Sequence, residues 1–312
     1  MHDLPADLVT GASQPRHLSR LTPQIQTVLG PDVQVLAWRE GADFWADLAL
    51  RGSSVLGVLR SPKKERLLTS YDGVVDYAEI MAKEAEVLGI LRAHHLPVPG
   101  VLAWRRRIAE GELSWMLCEY IPHTPVTSLS TAQQESLGHT VKQIHAISPT
   151  SPLIQRRVSW STFMLERLGA RLLGANRYCP QLPVAKIAAR AEQVFLARET
   201  QATSLLHMDL RASNLCIAGD KIAAVMDVAN AMIGDPWLEL GRLRSYGLLT
   251  EDFRRGYGLS DEDLFSASPA LDLYELETAA MLMCVAREES HDPELFEISK
   301  ARALELIEAI LA

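Results

Sequence analysis

The periodicity of the sequence changes near Pro122, and this change limits the possible folds more than any other feature. Before it, short apolar runs of strand character are interrupted by one helical segment, 77–94. After it, helical spacing dominates, apart from two strands within 214–227. Strands followed by helices predict an α+β chain of two lobes, a β-rich lobe at 1–122 and a mostly helical lobe at 123–312. A boundary of this kind also predicts a cleft, where ligands commonly bind.

The individual elements follow from apolar spacing and turn residues. In the first lobe, strands are predicted at 33–38, 44–50, 54–60, 101–104 and 114–121. In the second lobe, helices are predicted at 132–147, 161–173 and 183–199, and helical structure is expected throughout from Trp237, with helices beginning near 261 and 292.

Charge, hydropathy and cysteine spacing exclude several classes of protein. The net charge of −8 over 312 residues argues against nucleic acid as a partner. Because no apolar stretch reaches the roughly 20 residues that span a bilayer, no membrane partner is expected either. The four cysteines form no C-x-x-C pair, which argues against a zinc or redox centre. The first residues lack the basic and apolar regions of a secretory signal, so a cytoplasmic protein is expected.

The segment 206–227 carries the polar residues that point to chemistry. The dipeptide Gly219-Asp220 lies between two apolar runs, which predicts a two-residue hairpin turn. Counting outward from that turn, Asn214 is expected to face Val225, with Asp227 as its diagonal neighbour on the same face. An amide oxygen and a carboxylate in that arrangement suit one Mg²⁺ ion.

A third polar residue precedes these two. Asp209 lies five residues before Asn214, in a loop expected at the same edge of the hairpin. A loop carboxylate beside a metal-holding Asn and Asp is the arrangement of a phosphoryl transferase. The loop Asp orients a hydroxyl and accepts its proton, while the metal neutralises charge on the phosphates. A single Asp is common at turns and strand ends, but the joint spacing is much rarer by chance.

The segments 207–214, 225–227 and 234–240 together resemble the catalytic and metal-binding loops of the aminoglycoside phosphotransferase/choline kinase family. The resemblance implies a protein-kinase-like bilobal fold that uses Mg²⁺ and takes ATP or GTP as phosphate donor. The residue roles that it implies are a catalytic base at Asp209, metal ligands at Asn214 and Asp227, and a loop-bracing residue at His207. A protein kinase proper is disfavoured because neither a D-F-G nor an A-P-E-type segment occurs.

The same resemblance implies a basic residue on the third strand and an acid on the helix that follows. Glu84 lies on the apolar face of helix 77–94, where an unpaired carboxylate would be costly, and Arg60 ends the third strand. An Arg60–Glu84 pair is therefore implied as the phosphate anchor, with Lys63 and Lys64 as alternatives. The backbone groups implied to meet the purine base, of either ATP or GTP, are those of Glu119 and Ile121.

The acidity of the chain is concentrated at its C-terminal end. Residues 251–312 hold 15 acidic and 5 basic side chains, which leaves the first 250 residues at about +2. Since the helical lobe carries acceptor specificity in this family, the excess favours a cationic, hydroxylated small molecule such as an aminoglycoside or another antibiotic. The candidate acceptor ligands are Glu239, Asp272, Glu275 and Glu288.

Two other functions stay open at this point. One is a metabolite kinase of the choline, homoserine or methylthioribose type. The other is a nucleotide-binding pseudokinase or interaction protein, which the arginine at position 60 and the single glycine of the segment 40–45 suggest.

Overall fold

The computed structural model describes residues 16–109, 111–123, 126–180 and 182–312. In chain order its helices and strands are α1 (Arg16–Leu29), β1 (Val33–Glu40), β2 (Phe44–Arg51), β3 (Ser54–Pro62), β4 (Arg66–Thr69), β5 (Gly73–Asp76), α2 (Tyr77–Ala93), β6 (Val101–Arg105), β7 (Trp115–Cys118), α3 (Thr131–His145), α4 (Trp160–Asn176), α5 (Val184–Ala197), β8 (Ser204–Leu206), β9 (Leu215–Ala218), β10 (Lys221–Val225), β11 (Met232–Gly234), α6 (Pro236–Ser245), α7 (Glu251–Tyr257), α8 (Asp261–Glu288) and α9 (Pro293–Leu311).

Contacts within the chain divide it into two compact units. Among the described residues, the first unit comprises 16–67 together with those of Asp76–Val126 and Ser213–Ala229; the second comprises Leu68–Val75 with those of Thr127–Ala212 and Asn230–Ala312. The predicted boundary at Pro122 lies close to one change of unit, but the chain changes unit at other positions too. The hairpin of β9 and β10 belongs to the first unit although it lies late in the sequence.

The first unit is built on a five-stranded antiparallel sheet in the order β1-β2-β3-β7-β6. One face of the sheet packs on α1, whose Leu18, Leu21 and Ile25 contact apolar side chains of the strands. The opposite face carries Leu48 and a partly buried Val58. Because side chains alternate along a strand, Arg60 lies on this second face, two residues after Val58.

Helix α2 begins at a capped residue and buries one charged side chain. The carboxylate of Asp76 accepts the N–H groups of Ala78 and Glu79, which satisfies donors that a helix start leaves unpaired. The buried face of α2 is apolar apart from Glu84. The helix and the buried position of Glu84 are both as the sequence predicts.

The second unit is helical and centres on α8. Ser260 begins α8 with a capping box, and Asp235 with Pro236 begins α6. The core of the unit lies among these helices, with α4, α5 and α9 packed on α8. Its largest fully buried side chains include Trp160, Phe195, Phe253, Tyr274 and Phe296.

The α+β class predicted from the sequence is confirmed, as are the predicted strands and helices with end shifts of a few residues. Helix α1, the β4–β5 hairpin and the short strands β8 and β11 were not predicted. In the part of the chain that the structure describes, no helix is long and apolar enough to cross a membrane.

Candidate active site

The β9–β10 hairpin, in the first unit, carries the two predicted metal ligands. Gly219 adopts φ +59° in the two-residue turn, and the strands pair outward from it as predicted as far as Ile222. Beyond that residue a β-bulge shifts the register by one. The N–H of Met226 therefore donates to the carbonyl of Asn214 at 2.8 Å. The predicted pairing of Asn214 with Val225 is wrong, because the bulge adds one residue to β10.

The oxygen donors at the end of this hairpin fit a hard divalent cation. Asn214 ends a 3₁₀ turn and is buried, and Asp227 follows β10 with a left-handed φ of +59°. An amide oxygen and a carboxylate are donors that Mg²⁺ accepts, with phosphate and water completing its coordination. Within the described ranges, no three His, Cys, Asp or Glu side chains gather as they would for a multi-ligand metal centre.

A triangle of charges lies beside Asp227 in the same unit. The Arg60 guanidinium pairs with Glu84 and also donates to Asp227 at 3.2 Å. Its Cζ lies 4.8 Å from the centre of the Phe44 ring. Burial opposes the charge on Arg60, but the two carboxylates raise its pKa above the usual range. Burial raises the pKa of Glu84 to about 7, against the lowering effect of Arg60.

The alternative phosphate anchors, Lys63 and Lys64, do not pair with Glu84 as Arg60 does. The Lys63 ammonium pairs with Glu40 at 2.6 Å and lowers the pKa of that carboxyl. The backbone N–H of Lys63 donates to the Asp43 carbonyl at 2.8 Å. Lys64 is exposed. Arg60, which is the residue paired with Glu84, is therefore the better candidate for the anchor.

Some polar groups of the segment implied to bind the purine base already form hydrogen bonds within the chain. The N–H of Glu119 donates to the Gly100 carbonyl at 2.8 Å, and its carboxylate bonds Arg92 at 2.9 Å. Nδ1 of His123 lies 2.9 Å from the Ile121 carbonyl. The N–H of Glu119 and the carbonyl of Ile121 thus already have partners within the chain.

The candidate catalytic base lies in the second unit, where the loop that follows β8 is held by α6. The N–H of His207 donates to one carboxylate oxygen of Glu239 at 3.0 Å, and the N–H of Met208 donates to the other. Nδ1 of His207 accepts the N–H of Asp209 at 3.1 Å. His207 therefore makes the contacts of a residue that braces the loop. The carboxylate of Asp209 itself bonds Arg211 at 2.9 Å.

Glu239 is held from behind by a second pair of side chains. Its carboxylate lies 2.9 Å from Nε2 of His145, and Nδ1 of that ring lies 2.7 Å from the Tyr257 hydroxyl. Burial would raise the pKa of Glu239, which is 1 % exposed, but His145 and the loop contacts hold it below its usual range. These contacts give Glu239 partners on the loop and on His145, so its surroundings do not favour the predicted role as an acceptor ligand.

The other three predicted acceptor ligands also have partners within the chain. Asp272 pairs with Arg244 at 2.6 Å, and Glu275 pairs with both Arg244 and Arg302. Glu288 accepts hydrogen bonds from a serine and a tyrosine hydroxyl. Internal arginines and hydroxyl groups thus satisfy these carboxylates, and nothing in their surroundings favours contact with an acceptor.

One residue with a clear relation to the loop was missed. Arg242, on α6, donates a hydrogen bond to the Met208 carbonyl and is buried. The signal that was available is its spacing: it lies three residues after Glu239, so both side chains leave the same face of the helix.

An antiparallel five-stranded sheet with an acid-bearing helix, and a helical unit that braces an H-x-D loop, define the kinase-like fold of small-molecule phosphotransferases. The model of the APH family, described as the phosphotransferase enzyme family, matches residues 50–272. The match covers more than half of the chain, and the chain belongs to this family. The protein is accordingly a small-molecule kinase.

Solved structures share the fold at low sequence identity. ADP-bound aminoglycoside phosphotransferase APH(2'')-Ib is 14% identical with a TM-score of 0.61, over 93% of this chain and 98% of that chain. A thermostable mutant of APH(4)-Ia with AMP-PNP and hygromycin B is 16% identical with a TM-score of 0.62, over 91% and 96%. A GDP complex of an aminoglycoside 2'-phosphotransferase-IIIa mutant is 16% identical with a TM-score of 0.58, over 93% and 95%. A search of curated proteins finds no significant match.

Proposed function

We propose that this kinase transfers the γ-phosphate of ATP or GTP to a hydroxyl group of a small molecule, with Mg²⁺ as its metal. The observation that carries the proposal is Arg60, which bonds Glu84 and Asp227 at once. A guanidinium held in this way suits phosphate oxygens, because its planar N–H groups match their geometry. The similar structures that hold ADP, AMP-PNP and GDP support a purine nucleotide as the donor.

Each proposed catalytic residue has one task. Asn214 and Asp227 hold the Mg²⁺ ion, which neutralises charge on the transferred phosphate when it is bound. Asp209 takes the proton of the acceptor hydroxyl as the new oxygen–phosphorus bond forms and the bond to the nucleoside diphosphate breaks. Arg211 bonds the Asp209 carboxylate, so an acceptor hydroxyl must share or replace that partner.

The proposed acceptor is a hydroxylated natural product, with antibiotics of the aminoglycoside kind tested first. The similar structures named above support testing aminoglycosides first, since they are aminoglycoside phosphotransferases and one of them holds hygromycin B. Metabolites such as choline, homoserine and methylthioribose form the second group of acceptors.

The first prediction concerns Asp209. Asp209→Asn should lower phosphate transfer about 1,000-fold, because a positioned base is lost, while the Kd for nucleotide changes less than about 2-fold. The measurement is release of ADP or GDP with Mg²⁺ across a panel of hydroxylated antibiotics and metabolites. Asp220→Asn makes the same change at an exposed hairpin turn and should keep full activity.

Two outcomes would contradict the proposal. Full transfer activity in Asp209→Asn would remove Asp209 as the base. A wild-type protein that binds nucleotide and turns over no member of the panel would favour the pseudokinase alternative.

A further inference from the structure

The peptide group between Met208 and Asp209 is held at both ends. Its N–H, from Asp209, donates to Nδ1 of His207 at 3.1 Å, and its carbonyl, from Met208, accepts a hydrogen bond from Nη1 of Arg242. Because a peptide group is planar, fixing both ends fixes its orientation and the direction in which Asp209 leaves the backbone. Met208 also adopts φ +69°, a conformation uncommon for a residue with a side chain.

Arg242 is in turn held by a buried cluster of charges. It is 4 % exposed, and its Nη2 lies 3.8 Å from Glu277, which also pairs with Arg167 and Arg171. Burial would raise the pKa of Glu277, but the three arginines lower it to about 2, so the carboxylate stays ionised. Arg171 reaches further, to Asp72 at 3.1 Å. The guanidinium that contacts the loop therefore lies beside an ionised carboxylate on α8, and its Nη2 also donates to the sulfur of Met281 at 3.3 Å.

Helix α6 supplies the loop with complementary partners from one face. Glu239 accepts N–H groups of the loop, and Arg242, three residues later, donates to its carbonyl. We infer that Arg242, oriented by Glu277, is a positioning residue for phosphoryl transfer that sets the direction of the Asp209 side chain. The inference rests on the proposed function in one respect, the role of Asp209 as the base.

The kinetic test uses Arg242→Met, which keeps the apolar stem and removes the donor. We expect kcat to fall about 10- to 100-fold, since a small misplacement of a catalytic group has effects of this size. The KM for nucleotide and for acceptor should stay within about 2-fold, because neither binding site loses a contact. Arg242→Lys keeps a charged donor and should restore part of kcat.

Arg167→Met is the matched control. It removes another arginine that pairs with Glu277, but this arginine has no hydrogen bond to the loop among those described, so kcat should stay within about 2-fold of the wild type.

A second measurement reports positioning without activity. Hydrogen exchange of the amides in 205–212 should be about 10-fold faster in Arg242→Met than in the wild type, and unchanged in Arg167→Met. A wild type that transfers no phosphate would defeat the proposed function, whereas the exchange rates would still test the positioning role.

The inference is overturned if Arg242→Met leaves both kcat and exchange at wild-type values, or if Arg167→Met changes both equally. Should Arg242→Met fail to fold, Arg242→Gln replaces it, with a shorter uncharged donor and the same expected losses. Wild-type values in that variant would overturn the inference in the same way.

Discussion

At the scale of single residues, Glu84 shows how much burial can predict. A carboxylate on the apolar face of α2 requires a partner, whereas the choice of Arg60 on β3 as that partner came from the family resemblance. The contact of Arg60 with Asp227 follows from neither, because it joins residues 167 positions apart through the bulged hairpin. Burial therefore predicts that Glu84 has a partner, the resemblance implies Arg60, and the structure adds the contact of Arg60 with a candidate metal ligand.

Replacing Arg60 should weaken nucleotide binding. Arg60→Met removes the guanidinium proposed to hold phosphate, and we expect the Kd for Mg-nucleotide, measured by calorimetry, to rise about 10- to 100-fold. Because the variant leaves Glu84 unpaired, the double variant Arg60→Met/Glu84→Gln separates lost phosphate binding from lost stability.

Lys63→Met is the control for this prediction. Lys63 pairs with Glu40 and not with Glu84, so its replacement should change the nucleotide Kd less than about 2-fold. The opposite pattern, with an unchanged Kd for Arg60→Met and a raised Kd for Lys63→Met, would move the phosphate anchor to Lys63.

Glu277 should make stability depend on acid pH. Its pKa falls from 4.5 to about 2 on folding, so the folded protein gains about 3 kcal/mol at pH values above 4.5. That contribution declines as the pH falls below 4.5 and is lost as it passes through about 2. In urea unfolding, the free energy of unfolding of Glu277→Gln should therefore be lower than that of the wild type at pH 6. Between pH 6 and pH 3 it should also fall by less than that of the wild type.

Glu297→Gln is the control, since Glu297 is exposed and pairs only at the surface with Lys300. It should keep the wild-type change of stability with pH. An equal change with pH in Glu277→Gln and the wild type would contradict the role assigned to Glu277.

At the scale of elements, the turn residues predicted where a hairpin reverses, but the sequence did not predict irregularities in strand pairing. The hairpin turn at 219–220 follows from its residues, whereas the bulge in β10 does not. Helix α1 was missed although Leu18, Leu21 and Ile25 recur at helical spacing, because Pro23 lies inside it and a proline commonly breaks a helix. Arg242 was missed because its partner is a backbone carbonyl, which no residue type in the sequence marks, and its spacing of three residues from Glu239 indicates only a shared helix face.

Helices α3 and α7 approach each other closely at two glycines. A Cβ on Gly138 would overlap the Phe253 carbonyl oxygen, and one on Gly256 would overlap the carbonyl oxygen of Glu135. Gly256→Ala must push the helices apart, so we expect the free energy of unfolding to fall by about 1–3 kcal/mol. A thermal melt measures the loss directly.

Gly169→Ala, on α4, is the matched control. A Cβ there meets open space, so the better helix propensity of alanine should raise stability by about 0.5–1 kcal/mol. A Gly256→Ala variant as stable as the wild type would show that α3 and α7 can separate without loss.

At the scale of the whole molecule, the fold explains part of the uneven charge of the sequence. Three of the 15 acids of 251–312, Asp272, Glu275 and Glu277, pair with arginines from α4 and α6, and two more, Asp263 and Asp292, cap the starts of α8 and α9. These internal contacts thus occupy about a third of the acids of this segment. The excess of acid is therefore weaker support for a cationic acceptor than the sequence alone indicates.

The left-handed backbone of Asp227 has a consequence for laboratory evolution. Such a conformation costs on the order of 1–3 kcal/mol for a residue other than glycine, so glycine at this partly exposed position would relieve the cost. Selection for heat resistance alone would favour that exchange. The same exchange would delete a carboxylate that contacts Arg60 and that is proposed to hold the metal. A gain in thermal tolerance at position 227 would therefore come at the expense of turnover. Met208 shares the left-handed backbone but is buried in the core, so glycine there would lose more in packing than it relieves in strain.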